Sequence, residues 1–455
     1  MIGNPLLLGD EGGYNLTRSL RFRASATGYL SRTAGTSTSA QKGTVSLWVK
    51  RGTLSTTYTQ YLFQSSYNAP PYRDNHIGFT SANTLEVYFS YQTSIGGGWT
   101  DQIYLNTTQV FRDPAAWYHI VVNWDTTQAT ASDRASVYVN GQKVTSFGSA
   151  TYPTLNQNLV VDTSGYTDFI GYSNGGGVFL QVTNFDGYMA EYNRIDGQAL
   201  TPSSFGASSP YNQWLPKKYS GTYGTNGFYL PFTNNASAAT LGNDFSGNSN
   251  TWTTNNISVT AGSTYDSMTD VPTLTSVTAA NYCVLNALDK TTGTLSNGNL
   301  TWYNAASSQA CVRSTMAIPT TGKWYWEATC TNPVGANSSG IALSTFGMAS
   351  FIGDTNSWGY HGNGYKYVSG VGTAAWGATY TTGDVIAYDF DASTGALRAY
   401  KNNTLQGTLV TGLSAADYFA AYSSYGGGQW DANFGQRPFS YTPPTGYLAL
   451  NTFNL

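Results

Sequence analysis

Few residues in this chain are typed and spaced for chemistry. Glycan hydrolysis on a sandwich strand needs two carboxylates on one face, about 5–5.5 Å apart for retention or about 6.5–9.5 Å for inversion. The nearest candidates are Asp389 with Asp391, Asp186 with Glu191, and Glu327. Asp389 and Asp391 share a strand face but run straight into a turn. Asp186 and Glu191 stand five apart and fall on opposite faces of any regular strand. The histidines are His76, His119 and His361, and no His-x-x-x-His or Gly-x-Ser-x-Gly pattern accompanies them. His119 falls on the mixed face of a strand and reads as a satisfied interior residue. Cys283, Cys311 and Cys330, at spacings of 28 and 19, fit neither a disulfide framework nor a zinc site and read as buried thiols. The triplets Gly96–Gly98, Gly175–Gly177 and Gly426–Gly428 lie in loops, not strand-to-helix turns, so they supply backbone freedom and no phosphate cradle.

What remains is surface chemistry. Trp99, Trp358, Tyr360, Tyr365, Tyr425 and Trp430 read as loop aromatics. Such rings stack on the apolar faces of sugars beside Asn, Asp and Gly loops, or else they fill cores and protein interfaces. The segments Gly96–Trp99 and Tyr425–Trp430 combine glycine with aromatics most closely.

The elements that must carry these residues are strands. Charged residues make up 10% of the 455-residue chain, against aromatics at 15%, with 50 Gly and 35 Tyr. That composition excludes long helices and coiled coils and favours polar, loop-rich β-domains. A net charge of −3 without a basic cluster argues against nucleic acid, and no Lys/Arg run offers a membrane patch. Pro5–Leu8 is far too short to span a bilayer and lacks a basic leader, so neither membrane insertion nor a secretory signal is expected. From residue 118, Tyr118, Ile120, Val122 and Trp124 form an apolar face opposite the mixed face of Trp117, His119, Val121 and Asn123. Asn140-Gly141 between short apolar runs predicts a tight hairpin, since a type I′ turn needs two positive φ angles. Residues 201–216 are punctuated by Pro202, Gly206, Pro210 and Pro216 and read as loop. Lys323 to Gly435 reads as a β-meander, with Ile386, Tyr388 and Phe390 on one strand face.

At this point the residues resemble known families. SLWVKR at Ser46, WYHIVVNWD at Trp117, VYVNG at Val137 and FDGYMAEYNRIDGQAL at Phe185 resemble strands of a laminin G-like, concanavalin A-like lectin domain. FYLPFTNN at Phe228 and NDFSGNSN at Asn243 resemble that domain's first-strand region. GKWYWEA at Gly322, GDVIAYDFDASTGALRAYKNN at Gly383 and ANFGQRPF at Ala432 are similar to a SPRY domain. The two in this order, with IDGQALTPSSFG before the joint and FGQRPFSYTPPTGY at the end, resemble a family of tailed-bacteriophage virion proteins.

The resemblance implies an all-β chain of two antiparallel β-sandwiches in series, a laminin G-like jelly roll and then a SPRY-like sandwich. It sets the first sandwich at 18–206 and a connecting segment at 207–279; residues 1–17, with Leu6, Leu7 and Leu8 but too little sequence to bury them, read as an N-terminal attachment arm. Residues 223–258 of that segment should return to pack on the first sandwich, because Phe228, Tyr229, Leu230 and Phe232 need an apolar partner. The second sandwich is set at 280–442 and a C-terminal tail at 443–455. The implied function is a non-enzymatic virion adhesion protein (tail fibre, appendage or capsid decoration) on the particle surface. Its partners would be other virion proteins and host-surface glycans, and it would be a homo-oligomer, with a trimer suggested by the family. Ligand contacts are expected from Tyr425, Trp430, Trp358, Tyr360 and Trp99. No cofactor is expected beyond a structural calcium, for which Asp125 and Asp133 flank a Thr/Ser-rich loop; calcium needs about 6–8 oxygen ligands, and an ordinary polar connection is the other reading. The alternatives are a purely structural particle protein and a concanavalin A-like glycan hydrolase.

Overall fold

The structure is a computed structural model of the chain and describes residues 14–54, 56–67, 72–94, 96–161, 163–174, 183–332 and 337–455. Leu6–Leu8 of the expected arm and the triplet Gly175–Gly177 lie outside the described residues. The chain is all-β, with 46% strand and 3% helix. Among the described residues the helix is confined to 3-10 turns such as Ala24–Ala26 and Ala239–Gly242. Two compact units emerge. The first runs to Val259 and takes in Asp266–Thr273; the second comprises Thr260–Tyr265 and Leu274–Leu455.

Two eight-stranded antiparallel sheets face each other in the first unit. In the Trp48 sheet, Lys42–Arg51 lies between Trp117–Asp125 and Gly187–Asp196. The outer strands are Ala135–Val139 and Gln142–Lys143 on one side, Ser19–Phe22 and Ser267–Met268 on the other. In the His76 sheet the order is Phe147–Thr151, Thr100–Val110, Thr84–Gln92, Tyr72–Phe79, Gln60–Tyr67, Thr167–Ile170, Tyr29–Thr33 and Thr253–Asn255. Strand alternation sends Val45, Leu47, Val49, Ile120, Val122 and Trp124 of one sheet against Ile77, Phe79, Val87, Phe89, Ile103 and Leu105 of the other. Gly141 closes the Asn140-Gly141 hairpin at φ +80°, and a Cβ there would stand 2.6 Å from the Trp214 ring. Turn and close approach both require glycine at this position.

Residues 207–273 are built largely into this unit. Phe228–Leu230 pairs with Gly187–Asp196, and Phe228, Leu230, Phe232, Leu241 and Trp252 enter the intersheet core. The polar loop that follows folds on Asp244, whose carboxylate accepts from the backbone N–H groups of Tyr229, Ser246 and Asn250 and from the Ser246 hydroxyl. Asn248 and Asn250 then donate to the carbonyls of Gly224, Thr225 and Gly227. Further on, Asp266 binds Arg21 and Arg23, and Asp270 binds Lys50 at 2.8 Å, with Lys50 and both aspartates fully buried. Residues 14–17 of the expected arm sit on the same unit: the Tyr14 hydroxyl meets that of Tyr229 at 2.7 Å, and Leu16 N–H donates to Thr273.

The second unit holds two seven-stranded sheets. Gln309–Ile318, Tyr418–Tyr425, Ser338–Leu343 and Ser357–His361 are central to one, and Gln429–Asn433, Lys323–Asn332, Val385–Asp391 and Ala396–Lys401 to the other. Trp302, Trp326, Tyr360, Tyr388, Tyr422 and Trp430 are buried in this unit. Residues 443–455 are part of the sandwich: Tyr325 N–H donates to Leu448, and Leu450 and Asn451 are fully buried.

Candidate functional site

The outward face of the His76 sheet is unlike the rest of the first unit. The core side chains Ile77, Val87 and Leu105 alternate with polar and aromatic neighbours, and cross-strand register lines these up in three rows. Gln64, His76, Tyr88, Tyr104 and Thr151 form the central row. Ser66, Asp74, Ser90 and Asp101 lie on one side of it, and Tyr61, Gly78, Glu86, Asn106 and Ser149 on the other. The floor is dry, since Gln64, Asp74, His76 and Ser90 are buried, while Glu86, Tyr88, Tyr104 and Asn106 are half-exposed and Asp101 is exposed.

His76 organises the floor. Its Nδ1 lies 3.0 Å from Asp74 Oδ1 and its Nε2 3.0 Å from Glu86 Oε1. The Tyr61 ring stacks on the imidazole at 4.2 Å, and Tyr88 leans on it at 5.4 Å. Burial alone would push the imidazole down, but the two carboxylates overcome it and raise its pKa to about 9. The ring is therefore a cation at neutral pH, and both nitrogens donate. Burial, followed by the neighbouring carboxylates, also pushes the Tyr61 hydroxyl up, so it stays protonated as a donor. Tyr104 meets Tyr88 edge to face at 5.5 Å. At one end of the face, Gln92 Nε2 donates to the Gly97 carbonyl, which ties down the loop that carries Trp99. Gln92 Oε1, in a residue 3% exposed, and Asn106 Oδ1 are buried acceptors with no partner among the described residues. Unmet acceptors of this kind cost about 1–3 kcal/mol each.

Carboxylate-pair hydrolysis needs an acid and a base flanking open space for a glycosidic bond. Between Asp74 and Glu86 that space is filled by the imidazole. Among the described residues no three His, Cys, Asp or Glu side chains are grouped to hold a metal. The arrangement offers donors, acceptors and ring faces in a plane, which is the chemistry of recognition.

The residues singled out in the sequence are placed differently. Trp430 is fully buried, pairs with Trp302 across strands and donates to the Ser423 carbonyl at 3.1 Å. Tyr360 is fully buried with its hydroxyl on the Ala378 carbonyl, and Trp358 is 9% exposed against Tyr418. As platforms for a sugar these three are corrected to core residues: the strands Ser357–His361 and Gln429–Asn433 turn them inward. Trp99 is half-buried, and Tyr425 stays 45% exposed at a strand end. Asp125 folds its own turn. Its oxygens accept from Thr127 N–H, the Thr127 hydroxyl, Gln128 and Lys42, while exposed Asp133 pairs with Lys143. Asp125 is thus engaged within a turn that closes on itself.

The carboxylates weighed for hydrolysis are likewise engaged. Asp389 is gripped by Arg398 and the Tyr400 hydroxyl, and Asp391 by Lys323 and Ser393. Glu327 accepts from the backbone of Ser440 and Tyr441. Glu191 sits at a β-bulge with φ +51°. Burial raises it to about 7, although the Tyr229 and Tyr14 hydroxyls pull the other way. His119 accepts at Nδ1 from the Trp214 indole at 2.9 Å, which leaves Nε2 to donate to the Ser46 hydroxyl. Burial holds it neutral, with a pKa near about 3. The Asp74–His76–Glu86 trio was missed, although Asp74-x-His76 and Glu86-x-Tyr88-x-Ser90 each carry the two-residue spacing of one strand face.

Residues 24–204 match the Concanavalin A-like lectin/glucanases superfamily. Part of the chain is similar to Ran-binding protein 9 of Xenopus tropicalis, 34% identical over 157 residues, which cover 32% of this chain and 29% of that protein. It is also similar to Ran-binding protein 10 of Danio rerio, 34% identical over 137 residues, covering 29% and 23%. The chain thus spans under a third of the length of these relatives. Among solved structures, the SPRY domain of human HERC1 aligns at 13% identity and a TM-score of 0.31, covering 35% of this chain and 99% of that one. The chain carries a laminin G-like stretch and has SPRY domains as structural neighbours. No helix among the described residues is long and apolar enough to cross a membrane.

Proposed function

We propose that the chain is a non-enzymatic recognition protein whose first unit binds saccharides on the outward face of the His76 sheet. The observation that carries this reading is the pair of partly exposed rings Tyr88 and Tyr104, edge to face at 5.5 Å, beside the exposed carboxylate of Asp101 and partly exposed Asn106. Sugar rings stack by their apolar faces and donate hydroxyls at their edges, and this face supplies a partner for each. The superfamily match over residues 24–204 supports the same class of ligand. Screening the intact protein on a glycan array, beside a Tyr88→Ala/Tyr104→Ala variant with an unchanged far-UV spectrum, tests it. Binding lost in the variant supports the assignment, whereas equal binding by both proteins removes it. Reducing ends released from a bound polysaccharide would overturn the non-enzymatic part.

The joint and C-terminal motifs support placing this binder on the surface of a tailed-phage particle as a homo-oligomer, with host glycans and other virion proteins as partners. Its position in a particle reconstruction checks that placement. A second reading concerns the other unit. Tyr303 and Tyr425 are 39% and 45% exposed at the ends of their strands, and the loops that follow are joined by hydrogen bonds from Gly426 to Ala306 and from Gly427 to Asn304. The resemblance to proteins named for binding Ran supports a protein partner there. Crosslinking from those two positions to a neighbouring protein, unaffected by the Tyr88→Ala/Tyr104→Ala change, would support it.

A further inference from the structure

We infer that the saccharide taken by the His76 sheet is amine-bearing, with protonated amino sugars preferred to their N-acetylated forms and acidic sugars refused. This inference rests on the reading of that face as a saccharide site. Its basis is the charge census of the five strands that build the face. Asp74, Glu86 and Asp101 lie on it as acids, and His76 is its one cation, so the formal charge is −2 even with the imidazole protonated. The strands Gln60–Tyr67, Tyr72–Phe79, Thr84–Gln92, Thr100–Val110 and Phe147–Thr151 contain a single Lys or Arg between them, Arg73. It stands opposite Tyr91 and belongs to the other side of the sheet, with its guanidinium over the Tyr91 ring at 5.3 Å.

Position sharpens the argument. The cation is at the bottom of the face: the His76 side chain is 5% exposed, and its two nitrogens are spent on Asp74 and Glu86. The acids lie nearer the surface, with the Glu86 side chain 14% exposed and Asp101 exposed beside the Tyr88 and Tyr104 rings. A ligand stacked on those rings meets carboxylate before it meets imidazolium. An ammonium there gains charge-assisted hydrogen bonds and the attraction of the tyrosine faces. A uronate or a phosphorylated sugar meets like charge with no guanidinium to receive it.

The test measures binding of the intact protein to short β-1,4-linked glucosamine oligomers, their N-acetylated counterparts and galacturonate oligomers. Measurements are made at about pH 6, where amines are protonated. Glucosamine oligomers should bind about ten-fold tighter than the acetylated ones at low ionic strength, a ratio equivalent to about 1.4 kcal/mol. The ratio should shrink toward one as salt rises to about 1 M, where the screening length falls to about 3 Å, and Asp101→Asn should lower it at low salt. Galacturonate should not bind. Equal or tighter binding of the acetylated or acidic oligomers, still abolished by Tyr88→Ala/Tyr104→Ala, overturns the charge preference and leaves the saccharide reading standing. Failure of all three oligomer classes and of the glycan array to bind removes that reading, and this inference with it.

Discussion

The two outward faces of the first unit begin from the same strand alternation and end in opposite states. On the Trp48 sheet the face is roofed by residues 200–230 and 266–273, so Phe205, Tyr223 and Tyr229 pack on Val121 and Ile195, and Lys50 and Arg21 find carboxylates under cover. On the His76 sheet the tyrosines remain half-open. A histidine near the middle of each reports the difference. His119, with indole and hydroxyl for neighbours, is held neutral; His76, between two carboxylates, is held charged. Burial pushes both down, and the partners decide the outcome. Ionisable groups persist under a roof where each is paired, and an open face can keep a surplus of one sign.

The sharpest way to break the comparison is to unpair the roofed face. Asp270→Ala removes the carboxylate that the fully buried Lys50 ammonium and the Trp117 indole N–H share, and should cost about 3–5 kcal/mol in urea unfolding. Asp101→Ala on the open face should stay within about 0.5 kcal/mol. Next comes Glu191, also under the roof. Its folded pKa of about 7 exceeds the model-peptide value, so its contribution is complete at acid pH and is lost as pH rises from about 4.3 through 7. A loss on the order of 3 kcal/mol is expected across that window, and Glu191→Gln should flatten it in pH-dependent unfolding.

The two histidines should titrate in opposite senses. His119 is depressed, so its contribution holds above about pH 6.5 and is lost as pH falls toward 3, on the order of 2–3 kcal/mol by about pH 4.5. His76 is raised, so its contribution is full below about pH 6.5 and is lost as pH climbs through 9. Imidazole NMR titration of the wild type, His119→Gln and His76→Gln separates the two. Tyr104→Ala should change stability by at most about 1 kcal/mol, as befits a partly exposed surface ring, with saccharide binding lost by array or calorimetry.

Much of this fold is legible in the chain. Tyr118 to Trp124 alternates cleanly, and Asn140-Gly141 marks its hairpin because few other dipeptides take two positive φ angles. Trp430 misleads because three glycines precede it, which reads as loop, although it lies in the strand Gln429–Asn433 with Ala432 on the same inward face. Trp358 and Tyr360 share an inward face for the same reason. The His76 site is half legible. Asp74-x-His76 and Glu86-x-Tyr88 each show their own spacing, but their meeting depends on the register of two strands, which a single sequence does not encode by spacing.

Asp266 and Asp270 also set an order of events during synthesis. The strands that hold Arg21, Arg23 and Lys50 leave the ribosome more than 200 residues before the carboxylates that neutralise them. Between the two, residues 260–265 belong to the other unit. Until residue 270 emerges, the nascent first sandwich carries these cations without the two carboxylates that bind them, so its roofed sheet waits incomplete. A gene fragment cut at residue 259, where the first unit's main stretch ends, would make that waiting state permanent.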